Sequence, residues 1–316
     1  MEDAFQKIQQ GLLLAQSNGC SVYQFSNETG EGTMTCYEVF PGAMLSFNDF
    51  HMAYFESEYV PGRDIFAIDH CREGRMEYLA AENAYAYVEA GDMKMDRRLT
   101  HTGRFVFPAS HYHGLTVAFD MSQAVVALGE EVKDFPVDLT GLQAKYCSGK
   151  YPFLVRGMEG AERIFGELYQ VPAKIRIPYF KIKILELLLY LEALELPKEQ
   201  EERPYYYKTQ VEKVKAIQEF LAEHMAENYT QEELAARYEI SLTGMKNCFK
   251  SVYGVSLGAW LTDYRMNQAA ELLRSRREMS IAEIAGRVGY DSASKFAIAF
   301  RKVMGMAPLE YRGAIR

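Results

Sequence analysis

The stretch "SIAEIAGRVGYDSASKFAIAF", Ser280 to Phe300, decides how this chain is read. It opens on a hydroxyl residue, Ser280, with Glu283 three positions later. That is a capping box, in which each side chain satisfies a backbone N–H of the other residue. Ile281, Ile284, Ala285 and Val288 then recur at i, i+3, i+4 and i+7, which is one face of a helix. Ala285 is small where a second helix must cross closely. Gly289 ends the stripe and can take positive φ to reverse the chain. Ser292 offers the next N-cap, and Phe296, Phe300 and Val303 supply the buried side of a second helix. Two short helices crossing over a tight turn predict a helix-turn-helix unit.

The pattern occurs twice. In "TQEELAARYEISLTGMKNCFKSVYGVS", from Thr230, Thr230 matches Ser280, Glu233 matches Glu283, Leu234 matches Ile284, Ala235 matches Ala285 and Arg237 matches Arg287. After one extra residue in the second turn, Phe249 matches Phe300, Lys250 matches Arg301 and Gly254 matches Gly305. Leu234, Ala235 and Tyr238 serve the first helix, and Met245, Phe249 and Val252 the second. Glu239 stands where the later unit has Gly289. If that backbone needs positive φ, Glu costs roughly 1 kcal/mol relative to Gly; otherwise the first turn is built differently.

The second helix of each unit has an outward face. In the first it holds Thr243, Lys246, Asn247 and Lys250; in the later one, Ala293, Ser294, Lys295, Ile298 and Arg301. Hydroxyl and amide groups can bond base edges, and cations can hold phosphates. Ordinary solvated helix residues would explain one such unit. Two in tandem point to DNA.

Charge supports that division. The chain of 316 residues has a formal net charge of −8, yet residues 241–316 hold 12 Lys and Arg against 6 Asp and Glu. The preceding residues hold 23 against 37. A polyanion would therefore meet only the C-terminal third. Pro197 and Pro204 bracket the charged segment "KEQEER", which reads as a linker. We expect a first domain over 1–196, a linker over 197–207 and a helical domain over 208–316, with units at about 230–252 and 280–303.

Residues 208–316 resemble the DNA-binding domain of AraC/XylS-type transcription regulators. The resemblance rests on "EELAARYEIS…FKSVYGVS", on "YRMNQAAELL", on the second unit and on the closing Pro308-Leu309-Glu310-Tyr311-Arg312. "SASKFAIAF" most resembles the siderophore-responsive, pyochelin-regulator branch. The resemblance implies seven helices, with one long helix, about Leu257–Leu273, joining the units. It implies double-stranded DNA as partner, contacted in two adjacent major grooves. It further implies a homodimer, contact with RNA polymerase, and a first domain that senses a small molecule or dimerises on a cupin-like β-barrel. Family members often carry Arg where Asn247 and Ile298 stand. Asn prefers adenine and Ile can touch only a thymine methyl, so specificity should lean on the first unit and on DNA shape, with Lys302 among the phosphate contacts.

The fold expected is therefore α+β and multidomain: a cupin-like β-barrel or sandwich over residues 20–130, followed by helices at 158–169 and 178–196, then the all-α domain. Short aromatic and β-branched runs punctuated by Pro41-Gly42 and Pro61-Gly62 suggest the strands. In the helix at 178–196, Ile182, Leu185 and Leu189 form a stripe that Ile184, Leu187, Leu188 and Leu191 widen. Docking on its own barrel is the plain reading, and self-association the sharper one.

Candidate effector contacts are His111, His113 and Arg104. In "HYHG" the two histidines are two apart and share a face if they lie on a strand. A metal would need a third ligand, from His51, His70, His101 or Glu82. The usual cupin Glu after HxH is missing, since "HYHGLTVAFD" offers only Asp120, so no metal and no cofactor are expected. Arg63 and Arg75 are further anion candidates, while Tyr85 and Tyr87 read as core. The tyrosines of "RPYYYKTQ" could stack on DNA or pack at the domain boundary.

The five cysteines are scattered, odd in number and without a CxxC pair, which argues against a disulfide framework or zinc ribbon and for a reducing cytoplasm. The N-terminus lacks a basic region, so no signal peptide is read. "ILELLLYLEALEL" is too short and too acidic for a membrane span, and no membrane partner is expected. No Ser-His-Asp set, P-loop or GxGxxG pattern indicates other chemistry. The leading reading is an effector-controlled DNA-binding regulator and not an enzyme. A cupin-type metal-dependent enzyme with an accessory helical tail, and a constitutive DNA-binding dimer without effector, remain as alternatives.

Overall fold

The computed structural model describes residues 11–17, 19–57, 63–98, 103–195 and 205–314. Residues 197–204 of the linker expected over 197–207, the first ten residues and His101 lie outside them. The chain divides into two compact units, Met1–Tyr205 and Tyr206–Arg316.

The first unit is built on strands β1 (Leu12–Ser17), β2 (Cys20–Asn27), β3 (Gly30–Phe40), β4 (Ala43–His51), β5 (Tyr54–Ser57), β6 (Ile65–Ala81), β7 (Ala84–Glu89), β8 (Met93–Asp96), β9 (Gly103–Val106), β10 (Tyr112–Asp120) and β11 (Phe153–Val155). Hairpins order β1 to β4 side by side. β10 then pairs with β4, β6 with β10, and β7 with β6. β8 pairs with both β6 and β11, and β5 pairs with β9 as a separate ribbon. All pairings with a described register are antiparallel. β1 and β7 do not pair with each other, so the sheet is open. The barrel expected from the sequence is thus corrected to the sandwich-like alternative. Strand β6 spans 17 residues and serves two neighbourhoods. Its first half lies between β10 and β8, and its second half pairs with β7. The β6–β10 register slips where His113 faces Glu73 and Gly114 faces Cys71, a bulge at Arg72.

Both faces of this sheet are covered, which is why strands such as β6 open on a continuous apolar run. On one face Leu45, Phe66, Ile68, Leu115, Val117 and Phe119 pack against helices. On the other Phe25, Phe50, Met52, Phe107 and Tyr112 form a second, aromatic cluster. Four helices follow: α1 (Met121–Glu131), α2 (Leu139–Tyr146), α3 (Glu159–Leu168) and α4 (Arg176–Ala193). The sequence reading extended strands to residue 130 and missed α1 and α2. Each starts on an Asp cap: Asp120 accepts from Ser122 N at 3.1 Å and Asp138 from Thr140 N at 3.0 Å. In α4 the buried face is Phe180, Ile184, Leu187, Leu188 and Leu191. Of the Ile182, Leu185, Leu189 stripe, Leu185 is half-buried against the core, while Ile182 is 61% and Leu189 43% exposed.

The second unit holds seven helices among the described residues. They are α5 (Lys208–Glu223), α6 (Gln231–Arg237), α7 (Leu242–Tyr253), α8 (Leu257–Ser275), α9 (Ile281–Arg287), α10 (Ala293–Met304) and α11 (Pro308–Ala314). Met266, Ala269, Ala270 and Leu273 of α8 share a core with Ile284, Ala285, Val288, Phe296 and Phe300. Val303, expected in that core, packs at its half-buried margin. In α7, Met245, Cys248, Phe249 and Val252 are buried. Among the described residues no helix is long and apolar enough to cross a membrane.

Candidate nucleic-acid interface and effector cavity

Both capping boxes are formed. Glu233 N donates to Thr230 Oγ1 at 3.1 Å while Thr230 N donates to Glu233 Oε2 at 2.8 Å. Glu283 and Ser280 do the same at 3.2 and 2.7 Å. Those backbone bonds hold both carboxyls below the usual range. The two turns agree as well: Gly289 has φ +81° and Glu239 has φ +50°. The first turn therefore holds a non-glycine residue in the left-handed region, the costlier of the two arrangements the sequence allowed.

Helix α7 is capped by Ser241, whose Oγ accepts from Gly244 N at 3.1 Å. Helix α10 has Ser292 at its N-cap position, but that side chain makes no capping bond. On α7, Thr243, Lys246, Asn247 and Lys250 are all exposed. On α10, Ser294, Lys295, Ile298, Arg301 and Lys302 are exposed, while Ala293 is half-buried at the helix start. Ile298 is 73% exposed, an apolar side chain held out on a polar helix face. The two faces therefore differ. One presents hydroxyl, amide and two ammonium groups; the other presents a hydroxyl, a branched alkyl group and cations.

Helix α8 joins the units as one uninterrupted helix of 19 residues, about 28 Å at ~1.5 Å per residue. From its middle, buried Arg265 donates from Nε to Met225 O at 2.8 Å, and from Nη2 to Glu227 O at 2.8 Å and Asn228 Oδ1 at 3.2 Å. This clamps the segment leading into α6 onto α8. The sequence reading missed Arg265. An arginine inside the otherwise apolar stripe of a connecting helix is the signal that could have found it.

In the first unit a cavity of about 150 Å³ lies between the β4–β10–β6 face and the β5–β9 ribbon. Met34, Met44, Phe50, Phe105 and Phe107 make most of its wall apolar. At its polar end Asn48 Nδ2 donates to Thr116 Oγ1 at 2.9 Å, which donates to Asp69 Oδ1 at 2.7 Å. Asp69 also receives Arg98 Nη1 at 2.8 Å and lies 3.0 Å from Lys94 Nζ. Burial works against its charge, but Arg98 and Lys94 hold its carboxyl below the usual range. Arg98 sits at φ +55° and is committed to Asp69 and Asp96, so it is a structural cation. Two buried atoms at this end, Ser46 Oγ and Asn48 Oδ1, have no partner.

The sequence-predicted effector residues are placed elsewhere. Exposed Arg104 donates to Glu56 Oε1 at 2.6 Å and stacks on Tyr54, outside the cavity wall. His111 precedes β10 and turns Nδ1 to the Ala109 carbonyl at 3.1 Å. His113, on β10, faces His51 and Asp49 at 3.2 and 3.1 Å. Arg63 pairs with Asp120 at 2.7 Å beside the α1 cap, and Arg75 with Glu89 at 2.6 Å. Glu82 is exposed in the β6–β7 turn, and His70 is buried against Phe165. Tyr87 is buried, as expected of a core residue, with Tyr85 half-buried beside it. The cavity was not legible because its lining alternates along strands far apart in sequence.

Residues 234–314 match a family model described as "Helix-turn-helix domain". The HTH-type transcriptional regulator ExsA of Pseudomonas aeruginosa is 33% identical over 99 residues, 31% of this chain and 35% of that protein. The arabinose operon regulatory protein of Escherichia coli is 30% identical over 101 residues, 32% of this chain and 34% of that one. This chain thus spans about a third of the length of the curated relatives it matches. Among solved structures, the DNA-binding domain of AdpA, determined with a target DNA, is 33% identical over 32% of this chain and 90% of its own, with a TM-score of 0.31.

Proposed function

The C-terminal unit is a DNA-binding helix-turn-helix domain of the AraC/XylS type, and from that premise we propose that the chain is a sequence-specific transcription regulator, not an enzyme, controlled by a small effector in its first unit. The observation that carries this reading is the pair of exposed helices α7 and α10 on one continuous α8. Successive major grooves on one side of DNA repeat every ~34 Å, and a bridge of about 28 Å plus the width of the flanking helices suits that repeat. Thr243, Lys246, Asn247 and Lys250 would meet one groove; Ala293, Ser294, Lys295, Ile298 and Arg301 would meet the next.

The cavity supports the effector half of the proposal better than His111, His113 or Arg104. About 150 Å³ accommodates one ring of benzene size. The apolar wall selects a largely apolar compound, and Ser46 Oγ with Asn48 Oδ1 would take a single hydroxyl or N–H donor. An effector acts by binding the DNA-competent state more or less tightly than the other, and that difference sets the response. Exposed Ile182 and Leu189 on α4 support a homodimer through that helix. A cytoplasmic location follows from the DNA partner.

Selection of bound fragments from the source genome tests the DNA half. Thermal-shift titration with small aromatic alcohols and amines, repeated on Asn48→Leu, tests the effector half. A shift that survives in Asn48→Leu would remove the cavity from the account.

A further inference from the structure

We infer that the exposed end of the helix-packed face of β4 and β10 carries a divalent-metal site of the zinc class, made by Asp49, His51 and His113. The inference does not rest on the DNA-binding reading.

The register places the three ligands. Asp49 and His51 are two apart on β4 and share a face. His113 on β10 lies directly opposite Asp49 on one side and Glu73 of β6 on the other. Asp49 Oδ1 is 3.0 Å from His51 Nε2 and 3.1 Å from His113 Nε2, and the two Nε2 atoms are 3.2 Å apart. A tetrahedral zinc ion with bonds of ~2.0–2.1 Å holds its ligand atoms about 3.3 Å apart. The triangle therefore needs to open by only tenths of an ångström to seat the ion.

The donor chemistry selects the metal. Two imidazole nitrogens and one carboxylate suit zinc and its first-row neighbours; magnesium and calcium want oxygen alone. Three protein ligands leave a fourth position for water or a small ligand. Glu73 Oε2 lies 3.6 Å from His113 Nδ1, behind the ring. That is beyond hydrogen-bond length, but a carboxylate on this side favours the Nδ1–H tautomer, which leaves Nε2 free for the metal. The backbone next to the ligands is pinned: at Gly74, with φ +84°, a Cβ would come within 2.2 Å of the His111 carbonyl oxygen. Asn48 and Phe50, which flank Asp49, line the cavity, so the metal face is the opposite one. This departs from the sequence-based expectation of no metal. The sequence points to His113 beside His111, with His51 among the possible third ligands; His111 turns Nδ1 to Ala109 instead, and Asp49, beside His51 on β4, is the ligand the sequence does not single out.

The test uses the full chain, stripped with chelator and dialysed, titrated with Co(II) and Zn(II) by calorimetry and visible absorption in the absence of DNA. We expect one ion per chain at micromolar affinity or better, and a rise in Tm with Zn(II). His51→Ala and His113→Ala should each weaken binding at least about 100-fold and abolish the Tm rise, and Glu73→Gln should weaken it about 10-fold. Cys20→Ser should bind as the parent does, which separates this site from adventitious thiol binding. His51 and Glu73 are exposed, so melts of metal-free His51→Ala and Glu73→Gln should match the parent. Absence of saturable binding below millimolar metal, or the parent's affinity retained in both histidine variants, would overturn the assignment.

Discussion

Arg265 occupies the space that a side chain at Gly289 would need: a Cβ there would sit 2.7 Å from Arg265 Nη2. The same Cβ would lie 2.7 Å from the Met225 carbonyl oxygen, to which Arg265 donates. One guanidinium on the connecting helix thus touches the approach to the first helix-turn-helix unit and the turn of the second. We predict that Arg265→Leu costs about 1–3 kcal/mol, because it removes the guanidinium that the part-buried Met225 and Glu227 carbonyls accept from, and that Gly289→Ala costs about 2 kcal/mol through the clash and the positive φ. Urea unfolding of both variants checks this.

Glu239 gives a prediction of the opposite sign. It holds φ +50° in the turn where the second unit has glycine, and its carbonyl accepts from Lys213 Nζ at 2.8 Å. That bond does not involve the side chain. Glu239→Gly should therefore stabilise the chain by up to about 1 kcal/mol, read as a higher midpoint in the same urea titration.

His70 makes stability depend on pH. Burial lowers its pKa to about 4, and neither ring nitrogen has a hydrogen-bond partner. Between pH 6.5 and 4 the unfolded chain binds a proton that the folded chain refuses. The stabilisation is complete above 6.5 and is lost as pH falls through that window, by up to about 3 kcal/mol. His70→Leu should flatten the dependence. Asp69, held ionised by Arg98 and Lys94 against its burial, acts in a separate window below about pH 4. Thermal melts of parent and variant from pH 7.5 to 4 distinguish the two groups.

The residues proposed to face DNA divide by role. Asn247→Ala should weaken binding to the selected site by roughly 1–3 kcal/mol and relax one base position. Lys246→Ala should weaken cognate and random DNA alike and lower the salt slope by about 1. Gel shifts at several salt concentrations check both; a cognate affinity unmoved by Asn247→Ala would count against the α7 assignment.

The helical third was legible in the sequence because its signals are local. Capping boxes, the i, i+3, i+4 stripes and the glycine turn all lie within one unit, and the repeat shows the pattern twice. The first unit was legible only as strands and two helices. Helices α1 and α2 are announced by single Asp caps in sequence that otherwise favours strands. The cavity and the Asp49–His51–His113 cluster depend on register between strands distant in the chain, and periodicity within one strand carries no register. On α4 the composition is apolar almost all round, so the covered face could not be chosen before the packing was known.

The central claim is that α7 and α10, set apart by α8, read consecutive turns of one duplex. Hydroxyl-radical footprinting of the full chain on a selected fragment tests it most directly. The account predicts two protected patches on the same side of the helix, about 10 base pairs apart. Ala substitutions at Lys246 and Asn247 should erase one patch, and at Lys295 and Arg301 the other. A single protected turn, or no protection at moderate ionic strength, would contradict it.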